Sequence, residues 1–151
     1  MVDWGKISKD VPKFTFEGET KTGKVVEVYD GDSVKVVFPL YSNTVAGMNV
    51  RDGPLYKWTC RINGVDTPEL RTKNILEKNM GKKVRDKLRE KILNKVVTLK
   101  CGDFDKYGRI LVDIECDKCD ISKWLIENEY AFEYHGGTKK DWGEYLDNQQ
   151  E

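Results

Sequence analysis

Two β-branched runs, Lys24–Tyr29 and Ser33–Phe38, stand on either side of Asp30-Gly31-Asp32. An Asp-Gly pair between such runs is a strong hairpin signal, so the chain opens an antiparallel sheet here. A third run, Tyr56–Val65, follows the stretch 39–55. That stretch holds Pro39, Asn43, Gly47, Asn49, Asp52, Gly53 and Pro54, and reads as a long loop or an extended hairpin tip. With strands two and three antiparallel, Asp32 and Asp66 fall at one end of the sheet and 39–55 at the other.

Pro68 to about Leu93 is the expected long helix. Val84, Leu88 and Ile92 recur every four residues with Met80 in phase, while Lys82, Lys83, Arg85, Lys87, Arg89 and Lys91 lie mostly off that stripe. Lys95–Cys101 and Ile110–Cys116 alternate as strands, Ile121–Glu129 reads as a second helix, and Tyr130–Tyr134 is a short run before Gly136-Gly137. Phe14 and Phe16 alternate with polar neighbours, which predicts a short strand inside a polar N-terminal arm, 1–21. Residues 136–151 read as a polar tail with room for one helical turn around Trp142 and Tyr145. Between them, 22–135 forms the expected domain. Five strands with a helix between the third and fourth is the order of an α+β, barrel-rich fold, a five-stranded OB-fold-like Greek-key barrel with two to three helices.

Composition narrows the chemistry. His135 is the one histidine, so a zinc site built on two or three histidines is excluded, and a serine or cysteine triad would have to run through His135. The four cysteines are too few for a disulfide-dominated scaffold. Cys116-Asp117-Lys118-Cys119 is a CxxC, but zinc needs two further ligands, and Cys60 and Cys101 sit in alternating strands where core thiols are expected. The CxxC therefore reads as a turn between strand and helix. Lys+Arg and Asp+Glu both number 26, yet residues 67–109 carry 13 basic and 6 acidic side chains and residues 110–151 carry 4 and 11. The middle third is a candidate polyanion face, or a helix with its lysines in water. No apolar run is long enough to span a membrane and the N-terminus has no apolar signal core, so an intracellular, non-membrane protein is expected.

Four short motifs have bland readings one at a time. Asp30-Gly31-Asp32 can be a turn. Thr67-Pro68-Glu69 can be a helix start, with Thr as cap, Pro in the first turn and Glu at the positive dipole end. Asp105-Lys106-Tyr107-Gly108-Arg109 can be a loop with Gly at positive φ, and Arg61 an exposed strand residue. Together and in this order, with Val65-Asp66-Thr67-Pro68-Glu69, they resemble the staphylococcal nuclease (thermonuclease) family over roughly residues 22–135. The resemblance implies a metal-dependent endonuclease of little sequence specificity, acting on DNA or RNA and leaving 3′-phosphate ends. It implies Asp32 and Asp66 as metal carboxylates, Thr67 as a ligand through its carbonyl, and Glu69 as the group that activates water. Arg61 and Arg109 would grip the scissile phosphate, Lys106, Tyr107 and Tyr134 would bind substrate, and Asp30 would support the site. Ca²⁺ is the implied ion with Mg²⁺ as the alternative, no organic cofactor is expected, and the chain is expected to work as a monomer.

These residue types suit that chemistry without the family. Carboxylates and carbonyls prefer Ca²⁺ or Mg²⁺ to zinc. A divalent ion polarises a phosphoryl oxygen, and guanidinium groups hold phosphate bidentately while keeping their charge. Ser33 stands where the family usually has Thr, 39–55 is longer than the family's hairpin tip, and either Tyr134 or His135 matches the family's tyrosine near the substrate. A nuclease-like module that binds nucleic acid or protein without cleaving is the alternative.

Overall fold

The computed structural model describes the backbone of residues 1–45 and 48–150 and the side chains of 1–41 and 53–150. Strands β1 (Thr20–Val28), β2 (Ser33–Pro39), β3 (Ser42–Val45), β4 (Met48–Asp52), β5 (Leu55–Ile62) and β6 (Val65–Asp66) lead into α1 (Ile75–Ile92). β7 (Val96–Phe104), β8 (Ile110–Cys116), β9 (Cys119–Asp120), α2 (Ile121–Glu127), β10 (Phe132–Glu133) and α3 (Trp142–Gln149) follow. A short 3₁₀ turn, Trp4–Lys6, lies in the arm. The main sheet runs β5-β2-β1-β7-β8-β9, and β5 also pairs with β8 in parallel, which closes β1, β2, β5, β7 and β8 into a five-stranded barrel. The expected α+β barrel is the fold of this chain.

Alternation builds the barrel. Val25, Val28, Val34, Val36, Cys60, Ile62, Val97, Leu99, Ile110, Val112 and Ile114 are all buried, and their strand neighbours are more exposed. Val84, Leu88 and Ile92 of α1 join the same core. Phe16 is buried too, edge-on to Phe38 and Trp58 with centroids 5.5 and 5.0 Å away. The expected strand at Phe14–Phe16 does not form: the segment pairs with no strand, and Phe16 plugs the barrel as one aromatic side chain on irregular backbone. The 39–55 stretch carries the β3–β4 hairpin, as one of its two readings had it, and residues 46 and 47 lie outside the described residues.

Two boundaries differ from expectation. The third strand breaks at Asn63-Gly64, where Gly64 takes φ +79°, and resumes as β6 against β10. The helix starts at Ile75 rather than near Pro68. Asn74 is its cap, with its side chain accepting from the Glu77 N–H at 3.0 Å, while Glu77 Oε2 accepts from the Glu69 N–H at 2.9 Å. Asn followed three residues later by Glu is a capping signal closer to the apolar stripe than Thr67 is, and the nearer cap takes the start. The segment 67–74 is left as an irregular bridge packed on α1: a Cβ on Gly81 would meet Leu70 and the Pro68 carbonyl at 3.0 Å.

The segment read as a polar tail holds an eight-residue helix, α3, packed on α1. Asp141 caps it by accepting from the Glu144 N–H. Trp142 is 3% exposed and stacks on Phe132 at 4.2 Å, and Tyr145 meets both rings edge-on. All four cysteines are free; Cys60, Cys101 and Cys116 are buried and Cys119 is half-buried. The CxxC spans the β8–β9 turn, with Asp117 and Lys118 at φ 50° and 65°.

Gly31 is needed for close approach. A Cβ there would sit 2.7 Å from Val84 Cγ1 and 2.8 Å from Thr67 Cβ. Gly31→Ala should therefore force the 30–32 turn away from α1, lowering stability by about 1–3 kcal/mol as overpacking does, read from the midpoint of urea unfolding. An unchanged midpoint would show that the turn has room to spare.

Candidate active site

The Asp30–Asp32 turn, the 61–69 segment and the 105–109 loop meet at one end of the barrel. Asp30 folds the first of them: its Oδ1 accepts from the N–H groups of Asp32 at 3.1 Å and Ser33 at 2.8 Å. Burial, with Asp32 beside it, pushes the Asp30 carboxyl up to about 7. Asp30 thus supports the turn and presents Asp32.

Arg61, next to last in β5, stands opposite Ser33. Its guanidinium donates to the carbonyls of Ile62 at 2.8 Å and Val65 at 2.9 Å, across the Asn63-Gly64 bend, and lies 3.6 Å from Asp32 Oδ2. The Ile62 N–H also donates to the Asp32 carbonyl at 2.8 Å. Asp32, bonded to Ile62 just before that bend, and Asp66, just after it, are thereby held at the same end of the barrel. Asp66 is 3% exposed, as is Thr67. Burial raises the Asp66 carboxyl and Asp32 adds to the rise, while Lys139, whose Nζ lies 3.5 Å from Asp66 Oδ1, works against it. Glu69 behaves alike: desolvation raises it, Lys139 opposes, and Asp32, Asp66 and Glu77 add to the rise. Crowded acids of this kind, all with oxygen donors, fit a hard divalent cation. Among the described residues there is no ready cluster of three or more His, Cys, Asp or Glu side chains around one point.

The 105–109 loop is organised by Asp105. Its Oδ1 accepts from the N–H groups of Tyr107 and Arg109, both at 2.9 Å, and its Oδ2 accepts from Arg109 Nε at 2.8 Å. Gly108, at φ +83°, closes the turn with its N–H on the Asp105 carbonyl. Arg109 also donates to Ser33 Oγ at 3.1 Å, which joins this loop to the start of β2. Burial pushes Asp105 up, but the hydrogen bonds and charge of Arg109 and the Tyr107 N–H outweigh it and hold the carboxyl below the usual range.

A cleft of about 550 Å³ gathers Arg61, Lys106, Tyr107, Arg109 and Tyr134, along with Asn63, Asp105, His135 and Lys139. Tyr107 is exposed, with the Lys106 ammonium and the Arg109 guanidinium 5.1 and 5.5 Å from its ring centre. Tyr134 donates to the Gly137 carbonyl at 2.9 Å. His135 also lines the cleft and pairs with Glu133 at 2.9 Å. A second cleft of about 320 Å³ is lined by Asp66, Glu69, Glu77, Lys140, Asp141 and Trp142, and again by Lys139. The arginines and the substrate-side residues thus share one cleft, Asp66 and Glu69 the next, and Lys139 stands between. The sequence did not single out Asn63 or Lys139, and Asp105 stood in its motif without a role of its own. For Lys139 a signal existed: Lys139-Lys140 supplies half the basic residues of an otherwise acidic last third.

The family model for staphylococcal nuclease homologues matches residues 59–151. An uncharacterized Bacillus anthracis protein is 32% identical over 134 residues, 84% of this chain and 56% of that protein. Two rice proteins named probable staphylococcal-like nucleases are 31% and 30% identical over 84 residues, 56% of this chain and 21% of each of theirs. The chain spans little more than half of the first relative and about a fifth of the rice proteins.

Asp105, with a depressed native pKa, contributes stability above its unfolded value of about 3.9 and loses it as pH falls through the lower native value. Asp105→Asn should flatten that acid loss in a thermal-melt series from pH 5 to 2. An equally steep loss would remove Asp105 from the loop's support.

Proposed function

Because the chain belongs to the staphylococcal nuclease homologue family, we propose that it hydrolyses phosphodiester bonds of DNA or RNA with a divalent cation and little sequence specificity. The observation that carries this reading is the cleft that gathers the Arg61 and Arg109 guanidinium groups, next to a second cleft lined by Asp66 and Glu69 and joined to it through Lys139. Asp32 and Asp66 would hold Ca²⁺, or Mg²⁺ in its place, with the Thr67 carbonyl and water completing an all-oxygen set. When bound, the ion supplies Lewis-acid polarisation of a phosphoryl oxygen.

The chain's own residues supply the rest. Arg61 is pre-aimed: two of its five donors go to the Ile62 and Val65 carbonyls, Asp32 Oδ2 stands 3.6 Å away, and among the described residues no further hydrogen bond takes the donors that would meet phosphate oxygens. Arg109 is oriented by Asp105 and Ser33 in the same way. Both charges persist at any working pH and stabilise charge that builds on the phosphate. Glu69 accepts the proton of the attacking water, a role no histidine needs to fill. Lys106 sits beside a neighbouring phosphate, and the exposed ring of Tyr107 and that of Tyr134 offer stacking faces to bases. The 3′-phosphate product is the polarity this family reading carries.

Phosphate contacts dominate such an interface, so binding weakens steeply with salt. Cleavage of plasmid DNA and of RNA in Ca²⁺ or Mg²⁺, and its loss in EDTA, tests the reading. Glu69→Gln and Arg61→Lys should each lower turnover roughly 10²–10⁴-fold; the circular dichroism spectrum is retained in Glu69→Gln, while Arg61→Lys also gives up the two-carbonyl clamp and melts at a lower temperature. Wild-type rates in both variants would refute these roles. Salt-sensitive binding with no cleavage in any ion would replace the enzyme with the binding module.

A further inference from the structure

The nuclease reading makes no use of Lys139. Its ammonium lies 3.5 Å from Asp66 Oδ1, with 5% of the Asp66 side chain exposed and 46% of its own. A buried carboxylate is thus neutralised by a group that is itself half in water. The same ammonium is 5.5 Å from the centre of the Tyr134 ring, and Lys139 lines both clefts. Its backbone leaves the barrel through Gly136 and Gly137, at φ +103° and +84°, and residues 136–141 are all exposed until Trp142 anchors α3. Rotation of the four-carbon stem can therefore lift the ammonium off Asp66 without disturbing barrel or helix.

We propose that Lys139 is a tethered counterion that holds the place of the divalent cation at Asp66 and gives it up when the cation binds. This rests on the assignment of the cation to Asp32 and Asp66. An ammonium and a divalent ion are drawn to the same carboxylate oxygens and repel each other, so each weakens the other's hold. The displaced ammonium has a destination already within reach, the larger cleft, where Arg61 and Arg109 would hold phosphate. Nucleic acid in that cleft draws Lys139 off Asp66 and so tightens cation binding, and the cation in turn frees Lys139 for phosphate. In this scheme Lys139 acts first through Asp66 and then on phosphate directly.

Isothermal titration of the full chain with Ca²⁺ alone, at fixed pH and salt, tests the competition. Lys139→Met keeps the apolar stem beside Tyr134 and removes the charge. It should bind Ca²⁺ about fivefold more tightly than the wild type, the scale of a partly exposed ion pair, while Lys139→Arg binds as the wild type does. In thermal unfolding, the Met variant should melt below wild type in EDTA and gain more from Ca²⁺. A lysine with a purely structural role would lower melting in both buffers and leave the dissociation constant unchanged, and that result would overturn the proposal. Equal affinity in all three proteins refutes the competition while leaving the cation site standing. No Ca²⁺ binding by any of them refutes the cation assignment and the competition with it.

Discussion

The Arg61 guanidinium stitches the end of the barrel together. It donates to the carbonyls on both sides of the Asn63-Gly64 bend and faces Asp32 across from them. The bend would otherwise leave the Ile62 and Val65 carbonyls unpaired in a part-buried place, which is costly. One side chain satisfies both and fixes the direction in which Asp66 emerges. The same group that would grip a phosphate is thus structural before any substrate arrives. A lysine offers rotating donors on a flexible stem and cannot keep that planar two-carbonyl span.

Around this clamp the charges are arranged under tension. Burial raises the carboxyls of Asp30, Asp66 and Glu69, and the charge of Asp32 adds to the rise of each. Two cations relieve the crowd, Arg61 at Asp32 and Lys139 at Asp66. They differ in kind. Arg61 is held by backbone carbonyls and stays; Lys139 is held by its ion pair with Asp66 and its place near the Tyr134 ring, on an exposed segment. Under the proposed function, one fixed positive group and one that can move would serve both a cation and an anionic polymer.

The last third of the chain has a double role. Its acidic excess looks like a solvated tail, but α3 folds back on α1, and the Trp142–Phe132 stack ties it to β10 beside the site. That docking suspends 136–141 over both clefts. The long basic face of α1 has a plain structural reading as well: Arg89 donates to the Val28 carbonyl and pairs with Asp86, so part of the positive surplus is spent on packing the helix to the barrel.

The five barrel strands, the apolar stripe of α1, the Asp30–Asp32 turn, Asp32, Arg61, Asp66 and Arg109 near strand ends and Glu69 just beyond β6 were readable in the sequence, because period-two and period-3.6 patterns are local and each motif lies within a few residues. The true start of α1 was readable too, in Asn74 and Glu77, as was the Asn63-Gly64 bend; competing local signals at Thr67-Pro68 and the β-branched run masked them. Tertiary structure alone decided three things. Phe16 became core on irregular backbone because the barrel left an aromatic-sized opening. Arg109 came to reach Ser33, 76 residues earlier, because β2 and β8 both pair with β5. Lys139 came to lie on Asp66, 73 residues earlier in the chain, because α3 docks by its tryptophan. Contacts of that separation follow from how elements pack, and no periodicity in the chain encodes them.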